Sequence, residues 1–255
     1  MFKEFLILLL LGHIVGDFYI QTRAMAAKKE KSLGWVLIHC LCYLGFMFLL
    51  SIPILSWGIV LGIIVAALSH FIIDVSKYLL TLWLNKRNKM TQVIERNLFF
   101  LDLILHGICL VSIAYWAVMS DLSIRVWSHM NNFFTEIGIS KYYALTWILT
   151  ILIIHKPANI AISKLLMIYK PVNSEEDTTR EHNAGRFIGT VERIIMLIFL
   201  VIGELSAIGL VLTAKSIARY DRISKERDFA EYYLLGTLIS TVIVILCSFL
   251  FKLFK

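Results

Sequence analysis

Residues 98–119 of the chain read LFFLDLILHGICLVSIAYWAVM. A helix needs about 20 apolar residues to cross the hydrocarbon core of a bilayer, and this run is long enough. Asp102 and His106 are its only acidic and basic residues, and their i, i+4 spacing places both on one face of a helix. The run therefore predicts a membrane-spanning helix that presents one polar stripe to the rest of the protein.

Two further apolar runs carry the same pair of residue types at the same spacing. His13 and Asp17 lie in LLLLGHIVGDFYIQ, and His70 and Asp74 lie in AALSHFIIDVSKYLL. A fourth run, WVLIHCLCYLGF, contains His39. An aspartate at the centre of a membrane helix costs about 2.5–3.5 kcal/mol on insertion scales, so these side chains require partners inside the protein.

The composition is that of a polytopic membrane protein. Hydrophobic residues make up 59% of the 255 residues, whereas a soluble chain usually has about 45–50%. The mean hydropathy is +0.78. We predict an all-α transmembrane bundle of six or seven spans. The apolar runs long enough to cross lie at about 5–21, 33–52, 57–84, 98–119, 143–168, 187–214 and 232–254.

A proline and a polar segment divide the second half of the chain. Pro157 lies inside the fifth run, and because proline removes a helix hydrogen bond it predicts a kinked or broken span. The later stretch KPVNSEEDTTREHNAGR is acidic and polar, which is typical of a soluble linker. We predict a four-span membrane domain with the histidine and aspartate cluster (1–120), the broken fifth span plus linker (121–185) and a two-span membrane region (186–255).

The net charge of +7 comes from basic residues between the apolar runs. The segments 22–32 and 85–97 are both basic, and the positive-inside rule places them on the cytoplasmic side of a bacterial cytoplasmic membrane. Positive charge at that surface is typical of contact with anionic lipids. No nucleic-acid-binding motif accompanies it. We therefore expect membrane lipids as partners and no nucleic acid, and the sequence leaves oligomer formation open.

The polar residues of the first four spans have the chemistry of a metal site. Helical bundles commonly build such sites from i, i+3 or i, i+4 pairs on facing helices. Imidazole together with carboxylate suits zinc, manganese or iron. The sequence predicts one or two divalent transition-metal ions, with the three aspartates as candidate catalytic residues. The predicted ligands are His13, Asp17, His39, His70, Asp74, Asp102 and His106.

A structural interpretation of each pair has to be set beside this one. A single buried histidine is more often a core residue than a ligand, and an isolated pair at i, i+4 is more often a helix hydrogen bond. Three pairs and a further histidine in membrane spans reverse that weighting, because polar residues there are rare and usually functional. The neighbouring Cys40 and Cys42 are interpreted as small core residues, since they fan out from His39 on a helix.

Further polar residues are candidates for binding an anionic substrate. Arginine and lysine suit a phosphate group, because their N–H donors match its oxygens. The alternative is structural: lysines that extend to the membrane surface, and ion pairs that fix helix ends. The candidates are Gln21, Lys77, Arg193, Lys215 and Arg219.

The stretches HIVGDFYIQTRAMAAKK, SHFIIDVSK and FFLDLILHG, together with His39, resemble a bacterial membrane-protein family catalogued as domain of unknown function 3307. The later segments GRFIGTVER, LTAKSIARY and AEYYLLGT resemble its longer members. The family pattern has glutamine after the fourth-span aspartate, whereas here Leu103 follows Asp102. The stretch SHFIIDV is also similar to an element of the family named membrane-bound metal-dependent hydrolases. That second resemblance implies a hydrolytic metal site.

Three functions remain open from the sequence. The first is a metal-dependent hydrolase of phosphate esters or anhydrides, lipid-linked or nucleotide, which needs a site open to one side near a cationic rim. The second is a transporter of protons or divalent metal, which needs polar residues continuing across both leaflets. The third is a scaffold whose polar pairs only hold helices together. The chain contains no Walker loop, G-x-S-x-G, GxGxxG or H-E-x-x-H motif.

Overall fold

The computed structural model describes residues 2–120, 128–170 and 179–254, without the side chains of residues 128–131 and 179–184. Within these ranges all regular structure is helical. A π-helical turn, Val15–Ile20, continues the first helix, and short 3₁₀ turns follow the third and seventh. The α-helices are α1 (Phe2–Ile14), α2 (Arg23–Lys29), α3 (Leu33–Ser51), α4 (Trp57–Lys86), α5 (Gln92–Met119), α6 (Ser128–Glu136), α7 (Lys141–Leu166), α8 (Thr179–Ile202), α9 (Leu205–Ile217), α10 (Tyr220–Lys225) and α11 (Arg227–Leu253).

The chain is a multi-pass membrane protein. Among the described residues, five helical segments are long and apolar enough to cross a bilayer, and the bent pair α1–α2 adds a sixth when it is counted as one span. This confirms the predicted all-α bundle. The five segments are Leu33–Ile54, Trp57–Lys86, Gln92–Met119, Lys141–Tyr169 and Arg227–Leu253.

A sharp bend separates α1 from α2. The chain turns by 92° between Phe2–Ile20 and Arg23–Lys29. Gln21 and Thr22 are extended there, and the Thr22 hydroxyl accepts a hydrogen bond from the backbone N–H of Met25 at 3.1 Å. This cap satisfies one of the free N–H groups at the start of α2, so a new helix begins at once in a different direction.

Small residues bring α1 close to α3. Gly12 and Gly16 lie one turn apart on the same face of the first span. A Cβ atom on Gly12 would overlap the Met47 side chain, and one on Gly16 would lie 2.6 Å from Tyr43 Cδ2. This is the small-xxx-small arrangement that lets membrane helices approach closely.

The helices of the second half differ from the predicted runs at two positions. Pro157 lies inside α7, which is continuous from Lys141 to Leu166, so the span is not broken there, and a kink at Pro157 stays a prediction. Proline removes only one donor from the helix ladder, and membrane helices tolerate that loss. The predicted sixth run, 187–214, is instead divided between α8 and α9 at Gly203, whose φ of +87° ends a right-handed helix. Residues 171–178 of the predicted linker lie outside the described residues.

The chain divides into two compact units, Met1–Leu149 and Thr150–Lys255. In the N-terminal unit α1 packs against α3 and α5, and α4 packs against the same two helices. These four helices therefore form a closed ring. In the C-terminal unit α8 packs against α9 and α11. The division of the chain into domains at 1–120, 121–185 and 186–255 stays a prediction.

Candidate metal centre

The ring of α1, α3, α4 and α5 brings all seven predicted metal ligands into one cluster. The four histidines and Asp74 are buried, whereas Asp17 and Asp102 are partly exposed. In α1 and α4 the histidine precedes the aspartate, and in α5 it follows. Because α4 and α5 join through a short loop and run in opposite directions, this reversal places every aspartate on the same side of the histidines.

Four donor atoms at the centre of the cluster lie close to one another. His39 Nε2 and His70 Nε2 are 3.1 Å apart. Asp17 Oδ1 lies 3.4 Å and 3.5 Å from these nitrogens, and Asp74 Oδ2 lies 3.5 Å and 3.4 Å from them. Zinc bonds of about 2.0–2.2 Å in a tetrahedron put the ligand atoms roughly 3.3–3.6 Å apart. We call His39, His70, Asp17 and Asp74 the quartet.

Hydrogen bonds among the described residues leave part of the quartet unsatisfied. Asp17 Oδ1 is buried and has no hydrogen-bond partner, although both imidazoles lie within 3.5 Å. His39 Nδ1 and His70 Nδ1 are also buried without a hydrogen-bond partner. A buried polar atom left in this state costs about 1–3 kcal/mol. A cation between the four inward-facing atoms would satisfy Asp17 Oδ1 and separate the two opposed nitrogens.

A second set of donors lies on the other side of Asp17. Asp17 Oδ2 is 3.7 Å from His13 Nδ1, and the His13 and His106 rings stack with their centroids 4.9 Å apart. One ligand atom from each of these three residues lies within 4.8 Å of the others. We call His13, Asp17 and His106 the second group. Asp17 therefore offers one oxygen to each set, as a carboxylate that bridges two ions does.

His106 is held in the form that a metal ligand needs. Its Nδ1 lies 2.8 Å from the backbone carbonyl oxygen of Asp102, to which a protonated Nδ1 donates. Its Nε2 is buried and has no hydrogen-bond partner. With the proton on Nδ1, the Nε2 lone pair is available to a cation. Histidines that bind metal are usually oriented by a hydrogen bond like this one, from the ring nitrogen that does not bind the metal.

Aromatic packing orients His70. The Tyr43 ring lies parallel to the His70 ring, with an angle of 3° and a centroid distance of 4.1 Å. Tyr43 itself is buried against Gly16, because that glycine leaves room for its ring. The close approach of α1 and α3 therefore positions a ligand on α4.

Two lysines bind the aspartates from the outer side of the cluster. Lys29 Nζ lies 2.6 Å from Asp74 Oδ2 and donates to Gln21 Oε1 at 3.3 Å. Lys77 Nζ lies 2.8 Å from Asp102 Oδ2. The Lys77 side chain is 34% exposed, so this side of the cluster is open. Gln21 and Lys77, both predicted to bind substrate, thus lie next to the predicted ligands, and their role stays a prediction.

Sequence reasoning missed three neighbours of the cluster. Cys40 was interpreted as a core residue, and it is buried, but its Sγ also lies 3.8 Å from Asp74 Oδ2. Tyr43 lies four residues after His39, and that spacing alone placed it on the same helix face. Lys29 was predicted, with Lys28 and Lys77, to meet an anionic head group, but its contact with Asp74 had no signal in the sequence, because only the 92° bend before α2 brings it back to the cluster.

The C-terminal unit uses Arg193 to connect its own helices. The guanidinium is 2% exposed and donates to Asn159 Oδ1 at 2.7 Å and to Thr190 Oγ1 at 3.3 Å. It also donates to the Ile154 carbonyl oxygen and to Ser240 Oγ, both at 3.3 Å. These acceptors lie on α7, α8 and α11. The arrangement supports a structural role, and the predicted role in substrate binding stays a prediction.

The two other basic candidates lie elsewhere in the C-terminal unit. Lys215 forms an ion pair with Glu192 at 2.6 Å, which links α9 to α8. Arg219 is exposed between α9 and α10, where residues 217–222 line an open cavity of about 430 Å³. Both residues belong to the C-terminal unit, and their role in substrate binding also stays a prediction.

Comparison with known proteins gives one match. A family model described as "Protein of unknown function (DUF3307)" covers residues 5–135, which is 131 of the 255 residues and includes all seven predicted ligands. No curated protein and no solved structure matches the chain. The similarity of SHFIIDV to the membrane-bound metal-dependent hydrolases stays a prediction.

Proposed function

We propose that this chain, which belongs to the DUF3307 family of proteins of unknown function, is a metal-dependent hydrolase of the membrane. Its cofactor would be one or two ions of zinc, manganese or iron, and its substrate a phosphate ester or anhydride. The observation that carries the proposal is the quartet, in which five distances between donor atoms lie between 3.1 and 3.5 Å. Imidazole and carboxylate donors at that spacing suit these metals.

The second group favours a hydrolase over a protein that only stores a metal ion. A site with four protein ligands is closed, whereas catalytic sites keep a position for water or substrate. The quartet provides four ligands, but the second group provides only His13, His106 and the shared Asp17. An ion there would have an open position next to the ion of the quartet.

Two adjacent ions would supply the chemistry of phosphoester hydrolysis. Bound metal makes hydroxide available near neutral pH, and a pair of ions about 3.5–4 Å apart stabilises both the attacking and the leaving oxygen. Hydroxide would form a bond to phosphorus, the bond between phosphorus and the leaving oxygen would break, and that oxygen would take up a proton. Asp102, beside the second group, would act as the base that receives the proton of the attacking water.

The first experiment is elemental analysis of the detergent-purified protein after incubation with zinc or manganese. We expect one or two ions per chain in the wild type, and the loss of at least one in His39→Ala/His70→Ala. His155→Ala is the matched control, because His155 lies in the C-terminal unit. A folded wild type without metal, or a double variant with the wild-type metal content, would overturn the proposal. With metal present, release of phosphate from soluble and lipid-linked phosphoesters tests hydrolysis.

One observation favours transport as a second candidate. Asp17 lies in the π-helical turn Val15–Ile20, and a 92° bend follows directly. Broken and locally unwound helices at membrane depth are typical of transporters, and π-helical turns often occur at functional sites. Transport predicts metal or proton flux in proteoliposomes that Asp17→Asn abolishes. A metal-loaded protein that releases phosphate from substrate without flux would exclude it.

A further inference from the structure

Two ammonium groups share the carboxylates that a metal would need. Lys29 Nζ lies 2.6 Å from Asp74 Oδ2, the same oxygen that faces His39 and His70 in the quartet. Lys77 Nζ lies 2.8 Å from Asp102 Oδ2. Asp102 in turn belongs, with Asp74 and His106, to a further group of donors close enough to hold a cation. Each lysine therefore places its own positive charge next to a predicted metal ligand, where a bound cation would also lie.

The charges of the cluster show what metal binding would change. With neutral imidazoles, three aspartates and two lysines leave one net negative charge. One divalent ion would make the cluster positive by one charge, and two would make it positive by three. A partly buried excess of positive charge is unfavourable, so the loaded cluster requires an anion.

We propose that Lys29 and Lys77 form a phosphate-binding site that metal binding makes available. Without metal, each lysine neutralises an aspartate. A divalent ion on Asp74 or next to Asp102 repels the adjacent ammonium group, which then leaves the carboxylate and binds the oxygens of a phosphate group. This inference rests on the proposed function, since it requires a metal in the cluster, and it assigns the phosphate contacts to two named residues.

The positions of the lysines suit this exchange. Both have long, flexible side chains, and both approach the cluster from its open side, with 15% of the Lys29 side chain and 34% of the Lys77 side chain exposed. Rotation about the side-chain bonds would take an ammonium group away from the aspartate. Gln21, which accepts a hydrogen bond from Lys29, has an amide N–H₂ group that can donate to a phosphate oxygen.

The neighbouring Lys28 provides a matched control. It precedes Lys29 in α2, but its Nζ lies 4.3 Å from the centroid of the Trp35 ring. A loss of charge at Lys28 changes the basic segment by the same amount as a loss at Lys29. It removes a contact with an aromatic ring and leaves Asp74 with its own lysine.

The test is equilibrium dialysis of labelled inorganic phosphate against the full-length protein in detergent, with and without manganese, while the metal content is measured in parallel. We expect phosphate to bind the metal-loaded wild type at least tenfold more tightly than the metal-free protein. Lys29→Met and Lys77→Met should each weaken phosphate binding at least tenfold without loss of metal. Lys28→Met should leave it unchanged, and Lys29→Arg should restore part of it.

Competing micelles that contain phosphatidic acid identify the source of the phosphate group. If the micelles displace inorganic phosphate, the natural ligand is a lipid headgroup. If they do not, it is a soluble phosphate compound. Both outcomes are consistent with a phosphate-binding site at Lys29 and Lys77. Equal phosphate affinity in Lys29→Met, Lys77→Met and Lys28→Met, with metal retained, overturns this inference and leaves the metal site intact. Equal affinity with and without metal also overturns it. A wild type that binds no metal refutes the proposed function first and this inference with it.

Discussion

Gly16→Ala tests whether the contact between α1 and α3 holds the metal ligands in position. The new Cβ would lie 2.6 Å from Tyr43 Cδ2, whereas carbon atoms pack at about 3.5–4.0 Å, so the ring or the helix has to move by roughly 1 Å. The Tyr43 ring is buried and stacks on His70, and Asp17 follows Gly16 directly. Metal ligands tolerate shifts of only about 0.2 Å. We expect about 10–100-fold weaker metal binding, as for other changes behind a ligand.

The same substitution should also lower stability by about 1–3 kcal/mol, as overpacking of a core does. Gly107→Ala is the control, because Gly107 follows His106 and a Cβ there meets no atom within 4 Å. Titration with manganese against a competing chelator measures the affinity, and denaturation in mixed micelles measures the stability. Wild-type affinity in Gly16→Ala, or an equal loss in Gly107→Ala, would show that the helix contact does not position the ligands.

Three further predictions concern the two units separately. Asp17→Asn should remove more metal than Asp102→Asn, because Asp17 offers an oxygen to both sets of donors; equal metal contents would exclude a bridging role. Arg193→Met should destabilise the protein by about 1–3 kcal/mol by leaving buried acceptors unpaired, and should leave the metal content unchanged, whereas the exposed Arg222→Met should change neither the stability nor the metal content. Metal affinity should fall on acidification, because protons compete with the ion for the imidazole and carboxylate donors; an affinity that stays constant until the protein unfolds would exclude these donors.

The cluster could be predicted from the sequence because its signal is local. A histidine and an aspartate four residues apart share a helix face wherever the helix lies, and an apolar membrane run makes the pair conspicuous. The reversed order of Asp102 and His106 relative to His70 and Asp74 agrees with antiparallel neighbours, but no prediction was drawn from it. The spacing of Gly12 and Gly16 is a further signal in the sequence, because small residues four apart indicate close packing of a membrane helix such as α1.

The contacts of Lys29 and the course of α7 and α8 could not be read in the same way. Lys29 reaches Asp74 through a change in chain direction at residues 21 and 22, which no periodic pattern records. Pro157 and Gly203 are both typical helix breakers, but only the glycine ends a helix, since it alone adopts a positive φ. Whether a helix continues past such a residue depends on tertiary packing, and the local sequence does not specify it.

The order of the layers in the cluster has a consequence for selectivity between cations. An ion that approaches from the side of Lys77 meets the partly exposed carboxylate of Asp102 before it meets the buried imidazole of His106. Hard ions such as magnesium and calcium prefer oxygen and give up water reluctantly, so they gain little from moving further. Zinc and iron exchange water for nitrogen more favourably. We therefore expect magnesium and calcium to remain near the outer carboxylate, and only a transition metal to reach the imidazole and fill the site.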